Sequence, residues 1–195
     1  GALAVRVQSA AGTTVDLLNC HLKSKLISYP HGRFAPRDEG ERARYGAFAL
    51  YRRAAEAATV RDLADRLLDG HGQDRAVIML GDLNDEAQAG STQLLLGPPG
   101  SHYGTGGYHH ADAGDRWRLW NLAPRIQPAE DAYSRIHEGR KELIDHILVS
   151  HYLRDRVQSV TAVIDHPLPS VTENPDTRRA AIDSDHAPVI ADPPV

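Results

Sequence analysis

Cysteine is the first scarcity: the chain has one, Cys20, which excludes an internal disulfide and leaves the redox compartment unread. Long apolar runs are absent as well. None approaches the ~18 residues that a spanning helix needs, and nothing resembles a signal peptide, so no membrane span is expected and localisation stays unknown. Cationic excess is missing too. Lys and Arg number 22 against 26 Asp and Glu, a net charge of -4, which speaks against a broad basic nucleic-acid footprint but allows a local basic cleft. What is present is ordinary for a globular protein: 41% hydrophobic and 25% charged residues. At 195 residues the chain reads as a single domain, 1–195.

"LAVRVQSAAGTTVDLLNCHL" predicts two strands joined by a turn at Ala11-Gly12-Thr13. Pro30, Gly32, Pro36 and Gly40 mark the next stretch as loop. A long helix follows from about Glu41 to Leu68, its stripe formed by Ala43, Ala47, Leu50, Ala54, Ala57, Val60, Ala64 and Leu67; Asp69-Gly70 stops it. Ala76 to Leu80 is too short for a helix and apolar on both faces, so it predicts a central strand emptying into a loop. Residues 86–128 read as irregular, with Trp117 and Trp120 as a short helix face packed on a sheet. "AYSRIHEGRKELIDHILVS" predicts a hairpin turning near His137-Glu138-Gly139, with a second strand running through Val149. "RVQSVTAVID" and "APVIAD" are further strands, separated by a loop over 166–180. Six or so strands and one long helix, linked by hairpins and long loops, predict an α+β sandwich of packed mixed sheets with helices outside.

Polar residues cluster at the strand ends. "NCHLKS" carries Asn19, His21, Lys23 and Ser24; "GDLND" carries Asp82, Asn84 and Asp85; "LIDHIL" sets Asp145 inside an apolar strand; "SDHAPV" ends with Asp185 and His186. Singly each has an ordinary reading as a solvated face or a turn, although a carboxylate between Ile144 and Ile147 needs a partner. Together they supply hard oxygen ligands suited to Mg²⁺ or Mn²⁺ and two histidines with an orienting carboxylate. Metal-assisted phosphoester hydrolysis needs that combination.

In that order and separation, the four motifs resemble the later motifs of the endonuclease/exonuclease/phosphatase superfamily, from Val15 to Ile190. The resemblance implies a four-layered α/β sandwich, two packed mixed β-sheets flanked by helices, with its site at one end. It implies a divalent-metal-dependent phosphoesterase, using Mg²⁺ or Mn²⁺ on a nucleic acid or small phosphodiester, or on a phosphomonoester. By the same resemblance Asp82 positions or deprotonates the attacking water, and Asn84 hydrogen-bonds the phosphate. His186 contacts the phosphate, held by Asp145, and His21 stabilises the transition-state oxygens or protonates the leaving group. Asp185, with Asp82, lies against the metal, while Asn19 and Lys23 contact substrate.

The family's first Asn and its metal-binding Glu precede the "HL" motif, and the twenty residues before His21 contain no Glu. The chain therefore reads as N-terminally incomplete and catalytically weakened, with an open sheet edge available for self-association. The alternative reading is a non-catalytic binding domain that retains the fold. "GPPGSHYGTGG" lacks the Gly-Lys-Ser/Thr end of a P-loop. His102, His109, His110 and Asp112 lack metal-site spacing.

Overall fold

β1 (Ala2–Gln8) and β2 (Thr14–His21) form the expected antiparallel hairpin. A computed structural model describes residues 1–8, 12–172 and 184–192; the predicted turn at Ala11 and part of the predicted 166–180 loop lie outside them. β3 (Ala76–Asp82) joins β2 in parallel, and that pairing requires a long crossover. The crossover is α1 (Glu39–Leu68), opened by the Asp38 carboxylate, which accepts from the Glu41 amide at 2.8 Å. β7 (Asp145–Ser150) and β4 (Leu119–Asn121) complete a five-stranded mixed sheet in the order β1-β2-β3-β7-β4.

Two smaller sheets stand beside it. β5 (Arg135–His137), β6 (Arg140–Glu142) and β9 (Ser170–Val171) form one, and β8 (Ser159–Ala162) pairs with β10 (Val189–Asp192) in the other. Leu18, Cys20, Met79 and Leu148 on one face of the main sheet meet Ala57, Val60, Ala64 and Leu68 of α1. On the opposite face Val15, Trp120 and Val149 meet Val160 and Ala162 of β8. The α+β class with packed mixed sheets is thus the one observed. Among the described residues, no helix is long and apolar enough to cross a membrane.

Several local expectations change. The buried side of α1 runs through Ala49, Arg53, Ala57, Val60, Ala64 and Leu68, while Leu50 is exposed. The stripe is rotated because Arg53, a charged residue, is drawn inward to pair with Asp85 at 2.7 Å. The hairpin is also shorter than predicted. It turns through Glu138 and Gly139, both with positive φ, and β6 ends at Glu142. β7 then begins as a separate strand, because the Ile144 carbonyl turns to accept from Leu83 and the chain crosses into the main sheet. Trp120 is buried within strand β4 rather than on a helix face shared with Trp117. Residues 86–128 hold two short α-helices, Gly90–Gln93 and Gly106–His109, and two 3-10 turns, Ala113–Arg116 and Ala123–Arg125, besides β4. Ser170–Val171, read as loop, pairs in parallel with β5.

Candidate active site

Three adjacent strands bring their polar residues abreast. His21 of β2 is the register partner of Asp82 in β3, and Asp82 is the partner of Asp145 in β7. β2 and β3 run the same way, so both finish at one end of the sheet; β7 runs the opposite way and starts there. A close approach of backbones makes this row possible. Gly81 has φ 134°, and a Cβ on it would lie 1.9 Å from the Cys20 carbonyl oxygen, so no other residue fits.

The segment after Asp82 is fixed by its own hydrogen bonds. The Asn84 amide donates to Asp82 Oδ1 at 2.8 Å, and the Asn84 side-chain Nδ2 donates to the Leu22 carbonyl at 3.0 Å. Asn84 is buried with φ 53°, a left-handed conformation that asparagine tolerates better than most residues. With Oδ1 engaged, Asp82 Oδ2 stands 3.6 Å from His21 Nε2.

His186, on the loop leading into β10, places Nδ1 2.7 Å from Asp145 Oδ2, as the lone carboxylate in an apolar strand predicts. The hydrogen bond to Asp145 raises the His186 pKa above its usual value, against burial, and the charges of Asp145, Asp82 and Asp185 add to the rise. Burial pushes the Asp145 carboxyl up. Hydrogen bonds from His186 and Ser134, with the positive charge of His186, outweigh that and hold it low. Asp82 goes the other way. Its carboxyl is raised, by burial first and then by the charge of Asp145, although the Asn84 amide and the two histidines pull it down.

His21, Asp82, Asn84 and His186 line one cleft of about 330 Å³, with Lys25 and Arg135 on its wall. Asn19 lies over Gly81, exposed on the same side of β2 as His21. The Lys23 ammonium turns to its own loop, donating to the Ser24 carbonyl and hydroxyl and to the Leu26 carbonyl at 2.7–3.1 Å. Lys25, not Lys23, is the lysine on the cleft wall. Its Nζ is shared loosely between Glu142 at 3.5 Å and Asp85 at 3.8 Å. One ligating atom each from Asp82, Asp145 and His186 fall within 4.8 Å of one another. Asp185, half-buried beside His186, is not part of that group.

A supporting layer escapes the sequence reading. His146 is buried, takes a hydrogen bond from Asn121 on Nδ1 and donates from Nε2 to the Asp85 carbonyl at 2.9 Å. Burial lowers its pKa and so favours this neutral ring. Asp85 in turn pairs with Arg53 and accepts from the Ser91 hydroxyl at 2.6 Å. The available signal was Arg53, a charge inside an otherwise apolar helical stripe. Cys20, buried behind the row, has its thiol pushed up to about 11 by burial and is inert. Asp112, weighed with the loop histidines as a metal ligand, instead pairs with Arg118.

The described fold is similar to that of several solved proteins. A 3'-5' exonuclease, NExo, from Neisseria meningitidis superimposes with TM-score 0.51 at 18% identity, covering 97% of this chain and 64% of that one. A 3' phosphatase NExo variant from Neisseria, bound to a product DNA hairpin, gives TM-score 0.51 at 17% identity over 98% and 65% of the two chains. Beta toxin from Staphylococcus aureus gives TM-score 0.49 at 16% identity over 100% and 57%. The chain thus spans less than two thirds of the length of each, and at these identities the likeness is one of fold. No curated protein matches the chain. The model of the Endonuclease/Exonuclease/phosphatase family matches residues 10–186. That match, which takes in the first three motifs and reaches His186 of the fourth, shows that the chain belongs to the endonuclease/exonuclease/phosphatase family.

Proposed function

We propose that this chain hydrolyses a phosphoester bond by in-line attack of water. One observation carries the reading: His21, Asp82 and Asp145 stand abreast at one sheet end, with His186 bonded to Asp145 and turned into the same cleft. Asp82, with a raised pKa and Oδ2 free of the Asn84 amide, holds and deprotonates the water. His186, kept charged by Asp145, presents its remaining ring nitrogen to a phosphate oxygen. Asn84 offers a second donor to the phosphate. His21, exposed at the cleft rim, delivers a proton to the leaving oxygen. Asn19 lies next to that rim, and Lys25 takes the electrostatic role expected of Lys23.

The donor set fits a hard divalent cation. Half-buried carboxylates of Asp82 and Asp145 repel one another across the β3–β7 pair, and Asp185 adds a third oxygen donor beside His186. Asp82 and Asp185 would hold Mg²⁺ or Mn²⁺ in preference to Zn²⁺. Such an ion would offset the negative charge of the phosphate. Few carboxylates are gathered there, so binding of the ion should be weak.

The substrate is a nucleic-acid phosphodiester or a small phosphoester that fits between His186 and the Lys25–Arg135 wall. The test is a panel of bis-p-nitrophenyl phosphate, p-nitrophenyl phosphate and a single-stranded oligonucleotide, with millimolar Mg²⁺ or Mn²⁺ and with EDTA. Slow turnover that EDTA abolishes and Zn²⁺ alone does not restore is expected. Turnover that survives EDTA removes the ion from the reaction. Binding of the oligonucleotide without hydrolysis of any ester assigns the alternative of a binding domain.

A further inference from the structure

We propose that Ser134 is the positioning residue of the Asp145–His186 pair, fixing one member through its hydroxyl and the loop of the other through its backbone carbonyl. The proposal rests on the reading of that pair as catalytic. Ser134 lies just before β5 and is fully buried. Its Oγ accepts from the amides of Ile144 and of Asp145, each at 3.2 Å. A serine hydroxyl has two acceptor sites and one proton. Both acceptor sites are therefore filled by backbone, and the proton is left to donate. That hydroxyl is also among the causes that hold the Asp145 carboxyl low.

The backbone of Ser134 works in two directions. Its amide donates to the Glu142 carbonyl at 2.9 Å, closing the hairpin onto itself. Its carbonyl accepts from the Ala187 amide at 2.8 Å, which pins the residue that follows His186. One buried residue thus joins the small sheet, the first residue of β7 and the loop before β10. Asp145 and His186 lie 41 residues apart in sequence, and Ser134 is hydrogen-bonded to both segments. The hydroxyl fixes the backbone of Asp145, from which Oδ2 reaches His186.

Ser134→Ala removes the hydroxyl and keeps the carbonyl, and Ser134→Thr keeps both. The readouts are the His186 Nδ1–H proton resonance at fixed pH and steady-state kinetics with Mn²⁺. In Ser134→Ala the ring N–H signal should broaden or vanish as its exchange with water accelerates. Turnover should fall about 10–100-fold, the scale for partners that orient a functional ligand, with KM within about twofold. Ser134→Thr should restore both. Ser134→Cys, close in size but a much weaker donor, gives the same reading should the alanine variant fail to fold. A folded Ala or Cys variant with an unchanged His186 signal overturns the proposal, as does a Thr variant that behaves like Ala. The ring signal is read on the chain without substrate. If the wild-type chain hydrolyses no ester, the phosphoesterase reading falls while the signal still decides the role of Ser134.

Discussion

Asp82 and Asp145 are register partners on neighbouring antiparallel strands, two half-buried carboxylates whose environments push their pKa values apart. Asp145 is held in its charged form by donors. Asp82 is raised by burial and by the charge of Asp145. Such a separation divides labour between a group that orients a histidine and a group that takes a proton.

Replacing Asp145 with Asn leaves the shape of the site and removes the charge that holds the His186 imidazolium. Asp145→Asn should lower kcat by about 10²–10⁴-fold, the scale of general acid–base contributions, and move KM little. Steady-state hydrolysis of bis-p-nitrophenyl phosphate with Mn²⁺ measures it. A kcat close to wild type would leave Asp145 with a structural role alone.

The same pair sets a pH dependence of stability. His186 has a folded pKa raised above its usual 6.5. Its contribution is therefore fully present below that value and lost as pH rises through the raised one. Asp145 has a lowered folded pKa, so its contribution is present above the usual 3.8 and lost as pH falls through the lower value. Urea unfolding midpoints should decline toward both high and low pH in the wild type and less so in His186→Asn. Parallel curves for the two proteins would disconnect the pair from folding.

Arg53 and Asp85 form an ion pair with side chains 7% and 12% exposed. Arg53→Met strips Asp85 of its buried cation, a change that costs about 3–5 kcal/mol when one partner of such a pair is removed. Adding Asp85→Asn should recover part of the loss. A single-variant cost below about 1 kcal/mol, the range of exposed pairs, would show that Asp85 finds water or Lys25 instead.

Gly81→Ala tests the backbone approach directly. The added methyl meets the Cys20 carbonyl at 1.9 Å, at a φ that alanine rarely adopts. Strain and overpacking each cost about 1–3 kcal/mol, so their sum should either prevent folding or separate β2 from β3 and dissolve the site. Circular dichroism with thermal melting reads the outcome, and a melting temperature like the wild type's would contradict the packing described.

Short apolar runs bounded by turn residues made β1, β2, β3 and the end strand legible, and polar residues at the strand ends pointed to His21, Asp82, Asp145 and His186. These are local signals: a carboxylate in an apolar strand stands out whatever the fold. Lys23 and Lys25 lie two positions apart in one loop, and only the path of that loop decides which ammonium reaches the cleft. His146 carried no signal of its own in the sequence, because its partners Asn121 and Asp85 lie 25 and 61 residues away. The break between β6 and β7 was hidden for a similar reason. The run "ELIDHILVS" is continuous in hydropathy, and the crossing between sheets is imposed by Leu83 and Ser134 from elsewhere in the chain.

α1 has 30 residues, about 45 Å at 1.5 Å per residue. The seven residues of β3 extend only about 23 Å at 3.3 Å per residue. The helix is thus about twice the length of that strand; its first half leaves Phe48, Leu50 and Tyr51 exposed and is held by the Asp38 cap, the Arg33–Glu41 pair and the packing of Tyr45 on Tyr29. Amide exchange along it should form a gradient, with the first turns opening locally and Ala57–Leu68 opening only with the whole fold. Arg53 sits at the boundary between these regimes. Melting that travels as far as Arg53 would leave Asp85 to Ser91 and Lys25 alone, so the fraying of one helix should loosen one support of the cleft loop.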